Sequence, residues 1–173
     1  GIRINAANAN AVAGNLIGTN PAGTSPLANS QQGLVIAGGA QNNVIGPGNL
    51  ISANLLGGVE INASGSAGNP NVVRGNTIGL KLDGSLFTSS DGGAYVNGSP
   101  GSGVSLTAGA ANNVVGGVVS TDRNIISGHA VFGVSITGPG TTSNQIQGNY
   151  IGTSTDGLAA RPNSSGVSIQ SSA

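Results

Sequence analysis

Apolar positions in this chain recur two residues apart and never persist for long. Six phrases place Gly before an apolar-x-apolar triplet: "GIRI" at 1, "GLVI" at 33, "GVEI" at 58, "GVSL" at 103, "GVSI" at 133 and "GVSI" at 166. Between each neighbouring pair lies at least one Asn-x-apolar triplet. These are "NLIG" at 15, "NVIG" at 43, "NLIS" at 49, "NTIG" at 76, "NVVG" at 113, "NIIS" at 124 and "NYIG" at 149. A period of two is that of a strand with one buried face. No segment sustains a period of 3.6, and the density of Gly and Asn opposes helix.

Strands this short, parted by Gly/Asn/Ser turns, cannot form long hairpins. The Gly phrases are 32, 25, 45, 30 and 33 residues apart. Sequential hairpins do not predict such a recurrence, whereas stacking each turn of chain on the last does. Equivalent strands then pair in parallel about 4.8 Å apart, and their Val and Ile side chains form one apolar column. The order of phrases also shows a two-coil unit. "NNVIGPGNLISANLLGGVEI" at 42 matches "NNVVGGVVSTDRNIISGHAVFGVSI" at 112 with a short insertion. "NVVRGNTIGLKLDG" at 71 matches "NQIQGNYIGTSTDG" at 144 without a gap. The Gly phrases at 33, 103 and 166 form one class, and those at 1, 58 and 133 the other.

The Gly-Val-x-Ile strand, the Asn-x-Ile-Gly strand and the "RNIISG" phrase at 123–128 resemble right-handed parallel β-helix repeats. They are most similar to the long Asn/Gly/Thr-rich repeat arrays of large bacterial surface and secreted proteins. The resemblance spans the whole chain. It implies an all-β, right-handed parallel β-helix (β-solenoid) as one domain over residues 1–173. Five full coils begin at Gly1, Gly33, Gly58, Gly103 and Gly133, and a terminal strand begins at Gly166. The rod is then roughly 25–30 Å long. Residues beyond a bare coil leave as loops, and the longest excursion, at about 83–102, carries Phe87 and Tyr95. The fold itself hosts lyases, hydrolases, adhesins, tailspikes and plain stalks, so it leaves function open.

Composition narrows the choice. Charged residues are 6% of the chain, aromatics 2%, and the net charge is zero. Glycine occurs 32 times and asparagine 21 times. A hydrophobic fraction of 37% without net charge supports a core rather than disorder. Arg3, Arg74, Lys81, Arg123 and Arg161 are scattered, which argues against nucleic acid as a partner. No stretch approaches the ~18 apolar residues of a membrane span. Without cysteine there is no disulfide framework and no thiolate zinc site. No cofactor or metal is expected.

Each candidate chemistry has a plainer alternative. Asn15, Asn76 and Asn149 align at one position, and Asn49 and Asn124 at another. A row of sugar-binding amides is one reading. A ladder of side chains that hydrogen-bond along the axis and satisfy turn backbone is the preferred one. His129, the sole histidine, aligns with Asn54 and reads as a turn residue rather than a general base. The carboxylates Glu60, Asp83, Asp91, Asp122 and Asp156 are dispersed. Asp83 and Asp156 are equivalent, two coils apart, and both precede Gly as in a turn. That is poor material for a glycosidase pair or a calcium site. The outward strand position runs Arg3, Val35, Glu60, Ser105, Ser135 and Ser168, which is not the Thr ladder of an ice-binding face. Asn62, Asn97 and Asn163 meet the N-glycan acceptor pattern, as chance allows in so Asn- and Ser-rich a chain.

The sequence begins and stops on a strand phrase, so uncapped ends are expected. Ile2 and Ile4 at one end, and Val167 and Ile169 at the other, are the residues expected to stack on a neighbour. That neighbour is a second copy joined end to end, or further repeats of a longer chain. The expected function is mechanical and without a catalytic site: an extracellular or cell-surface stalk, fibre or filament, or an adhesin segment. The alternative is a carbohydrate-binding or polysaccharide-cleaving β-helix that uses the loop around Phe87, Asp91 and Tyr95.

Overall fold

The computed structural model describes residues 1–88 and 101–170. Their strands form three parallel sheets. The first holds the six Gly phrases: β1 (Ile2–Asn5), β4 (Leu34–Ala37), β7 (Val59–Asn62), β10 (Val104–Thr107), β13 (Phe132–Thr137) and β16 (Ser165–Gln170). The second holds β2 (Ala11–Val12), β5 (Val44–Ile45), β8 (Val72–Val73), β11 (Val114–Gly116) and β14 (Gln145–Gln147). The third holds β3 (Leu16–Ile17), β6 (Leu50–Ile51), β9 (Thr77–Ile78), β12 (Ile125–Ile126) and β15 (Tyr150–Ile151). The chain visits the three sheets in turn and then climbs one rung, which makes it a parallel β-helix.

Register makes the core. In the first sheet Ile4, Ile36, Ile61, Leu106, Ile136 and Ile169 form one column, and Ile2, Leu34, Val59, Val104, Val134 and Val167 another. The second sheet contributes Val12, Ile45, Val73, Val115 and Ile146. The third contributes Ile17, Ile51, Ile78, Ile126 and Ile151. Most interior members of these columns are fully buried and belong to one cluster. Aliphatic burial at about 1.5–3 kcal/mol per side chain therefore replaces the missing large rings as the source of cohesion.

The corners explain the Gly-Asn pairs. Gly14, Gly48, Gly75 and Gly148 each take a positive φ, between 64° and 81°, immediately before Asn15, Asn49, Asn76 and Asn149. The left-handed residue swings the chain, and the asparagine after it points inward. Ala9, Asn42, Ala53, Asn112 and Ser143 take the same conformation before Asn10, Asn43, Asn54, Asn113 and Asn144. Only glycine does this without steric cost, which accounts for Gly at four of these nine corners, while Ala, Asn or Ser takes the left-handed conformation at the other five.

Odd and even coils differ after the third sheet. The second and fourth coils turn back at once through Ser52–Asn54 and Ser127–His129. The first, third and fifth send out equivalent turns, closed by Gly23 N–H to Asn20 O, Gly84 N–H to Lys81 O and Gly157 N–H to Ser154 O. These turns meet one another across the intervening coil. Leu82 N–H donates to Gly23 O, and Arg161 Nε donates to Gly84 O.

Candidate functional site

Two asparagine ladders are the most regular polar feature of the molecule. In one, Nδ2 of Asn10, Asn43, Asn71 and Asn113 donates to Oδ1 of the next member, ending at Asn144, over 2.9, 2.9, 3.0 and 3.1 Å. In the other, Asn15, Asn49, Asn76, Asn124 and Asn149 are joined over 3.1, 2.9, 3.0 and 2.9 Å. The sequence alignment separates Asn15, Asn76 and Asn149 from Asn49 and Asn124, but the structure places all five in a single column. Odd and even coils share the triplet and diverge only at the turn beyond it. The ladder through Asn10, Asn71 and Asn144 escapes the sequence alignment. Its sequence signals are two separate matches, "NVVRGN" with "NQIQGN" and "NNVIG" with "NNVVG", which align Asn71 with Asn144 and Asn43 with Asn113 without joining the two pairs.

Each ladder has a direction. The backbone N–H groups of Asn10, Asn43, Asn71 and Asn113 donate to the same Oδ1 that receives Nδ2. A backbone N–H can only donate, so it fixes the oxygen of every amide toward the preceding coil. Nδ2 also reaches carbonyls of the preceding coil, as in Asn76 to Ile45 O at 2.9 Å and Asn124 to Val73 O at 2.8 Å. Interior members such as Asn43, Asn71, Asn76, Asn113 and Asn124 are buried, where a satisfied amide is stabilising and a lone one costly.

His129 lies in a third polar column. Asn54 Nδ2 donates to Ile17 O at 3.0 Å, and Asn163 Nδ2 to Ile126 O at 2.9 Å. His129 Nε2 stands 3.3 Å from Ile78 O in the corresponding place, and its backbone N–H donates to Asn163 Oδ1. The imidazole fills an amide position and is buried.

The described carboxylates are held one by one. Glu60 is bonded by the side-chain amides of Gln32 and Asn62. Asp122 pairs with Arg74 at 3.0 Å. The hydroxyl and then the amide of Ser85 hold the exposed Asp83 below its ordinary carboxylate value. The Ser154 hydroxyl, then the Leu158 amide, does the same for Asp156. Arg123 lies 4.1 Å from the ring centre of Tyr150. Phe87 is buried, with the Lys81 ammonium 5.7 Å from its ring centre, so it offers no open platform. Asp91, Tyr95 and Asn97 lie outside the described residues. Of the other glycan acceptors, Asn62 Nδ2 is bonded to Glu60, and Asn163 Nδ2 belongs to the third column. Among the described residues no group of three His, Cys, Asp or Glu is placed to hold a metal, and no helix is long and apolar enough to cross a membrane.

The outer face of the first sheet carries a shallow groove of about 320 Å³. Ser105, Ser135, Thr107 and Thr137 form its floor, with Phe132 and Leu56 beside them.

The two end faces differ. Ile4 is 7% exposed, whereas Val167 is 46% and Ile169 65% exposed. The sequence reading treats these residues as equivalent stacking groups. The cause of the difference is strand count: coil one has a strand in each sheet, so β1 is flanked by β2 and β3. β16 is a sixth rung over second and third sheets that hold five. It overhangs a concavity of about 440 Å³ lined by Ile136, Ile146, Ile151, Val167 and Ile169, with Asn144 and Asn149 at its floor.

Comparison with known proteins adds no function: no family model, no curated protein and no solved structure matches the chain.

Proposed function

We propose that this chain is a structural module: a length of rigid rod in an extracellular or cell-surface stalk, fibre or adhesin, extended along its axis by further coils. One observation carries the reading. Both amide ladders run through all five coils with one polarity, each Nδ2 donating to the Oδ1 of the next coil. Every coil repeats the same bonds, so the axis is the direction in which the module stiffens and lengthens. The outside-the-cell placement rests on the resemblance to Asn/Gly/Thr-rich surface arrays. Electron microscopy of the native material tests the proposal. Extended rods of uniform width, with a meridional spacing of about 4.8 Å in fibre diffraction, are expected. Isolated compact particles at high concentration would overturn it.

A second reading, polysaccharide recognition, is favoured by the hydroxyl rows and Phe132 of the first-sheet groove. Binding on a glycan panel that is lost in Phe132→Ala would support it over the mechanical role.

A further inference from the structure

The outer face of the first sheet divides into two halves. At β7 its polar side chains are engaged with one another, since Gln32 and Asn62 both bond Glu60. On β10 and β13 they are not. Ser105 stands in register with Ser135, and Thr107 and Thr137 follow two residues along the same strands. Among the described residues these four hydroxyls have no protein hydrogen-bond partner. Thr107 Oγ1 is buried without one, a cost that a χ1 step toward a ligand hydroxyl would remove. The four hydroxyls make a grid of about 4.8 Å across the strands by about 7 Å along them. Phe132, half-buried, and Leu56 stand beside it. Among the described residues no charged side chain lines this groove, and the carboxylate on the adjoining rung is Glu60, in register with Ser105. The grid lies on the flank of the fourth and fifth coils, between β7 and β16, so neither end of the chain shapes its floor.

We infer that this grid binds a neutral, extended polysaccharide of the β-1,4-linked kind, laid along the rod axis. The inference rests on the polysaccharide reading above and names the class of its ligand. Hydroxyls donate and accept, so they match sugar hydroxyls without fixing their orientation in advance. The apolar face of a pyranose ring stacks on the Phe132 ring, which supplies area at little entropic cost. An extended β-1,4 chain advances by about one rung, roughly 4.8 Å, for each sugar, so successive sugars meet successive Ser/Thr pairs. An α-1,4 chain coils and does not keep that step. A uronic acid polymer finds no cation in the groove and is repelled by Glu60 at its edge.

The probe is cellohexaose, titrated into the isotopically labelled full chain, with maltohexaose and hexagalacturonate as comparisons. Saturable shifts at the amides of Ser105, Thr107, Phe132, Ser135 and Thr137 are expected from cellohexaose and from neither comparison. Phe132→Ala should weaken binding about tenfold through the lost ring. Ser135→Val keeps a strand-forming residue on the outer face, so it should fold, and it should weaken binding about fivefold. Equal binding of hexagalacturonate at these residues overturns the neutral class and leaves polysaccharide recognition standing. Equal binding of maltohexaose overturns the extended geometry in the same way. Cellohexaose shifts that neither variant reduces place the ligand elsewhere and overturn the inference. No saturable shift from any of the three at about 10 mM removes the recognition reading with it, and leaves the rod to be judged by its micrographs.

Discussion

The asparagine ladders and the turns of the odd coils are written in nearly the same alphabet of Asn, Asp, Gly and Ser, yet they are held in opposite ways. A ladder asparagine is buried and bonded to coils on both sides, as Asn76 is to Asn49, Ile45 and Asn124. The Asn and Asp side chains of the turns bond within their own loop: Asn20 Oδ1 receives the N–H groups of Thr24 and Ser25, and Asp83 Oδ1 that of Ser85. Position in the column, not residue type, decides whether a polar group carries the rod or decorates it.

That contrast can be broken most forcefully at the ladder. Asn76→Ala strands several buried polar groups at once and should cost about 3–5 kcal/mol in urea unfolding, whereas Asn20→Ala should cost about 1 kcal/mol. Equal losses would erase the distinction. Next in size is Gly79→Ala. Gly79 has φ +98° and no room for a Cβ beneath Ser127, so a loss of about 3 kcal/mol is expected. Gly14→Ala, at φ +69° in open space, should lose about 1 kcal/mol.

A smaller effect sharpens the third column. His129→Asn should cost about 1 kcal/mol, because Asn54 makes the same bond one even coil below, while His129→Ala should cost about 2–3 kcal/mol. The smallest effect belongs to the turns. Asp83 and Asp156 are depressed below the ordinary 3.8 by their Ser and backbone partners. A depressed carboxylate contributes stability that is present above the ordinary value and lost as pH falls through the folded one. Melting temperature should therefore hold from neutrality down to about pH 5 and then decline. The decline below 3.8 should be shallower in the Asp83→Asn, Asp156→Asn double variant, and an identical acid limb would show that the turns contribute nothing.

The fold is legible in the sequence because its period is short and its strands repeat a phrase. The Gly-initiated triplets at 1, 33, 58, 103, 133 and 166 are the six rungs of the first sheet. His129 is legible as an amide replacement because "ISGHAVFG" aligns with "ISANLLGG". The union of Asn15, Asn49, Asn76, Asn124 and Asn149 is hidden by the different turns that come after them. The Asn10 ladder is obscured because Ala9, Asn42, Pro70, Asn112 and Ser143 precede its members, so the Gly-Asn pair that marks the other ladder is missing. The extra rung of the first sheet is legible, since the sixth Gly phrase at 166 follows five full coils, but the exposure of Val167 and Ile169 is not, because it depends on which strands lie beside that rung.

The proposed mechanical role stands or falls on the ladders, and amide hydrogen exchange reads them directly. The backbone N–H groups of Asn43, Asn71 and Asn76, each bonded to an Oδ1 of the next coil, should exchange in the slowest class, with global unfolding. Their Nδ2 protons should be protected as well, while Gly84 and Gly157 N–H in the odd-coil turns exchange far faster. Ladder amides exchanging as fast as those turn glycines would contradict the claim that the repeated phrase holds the rod together.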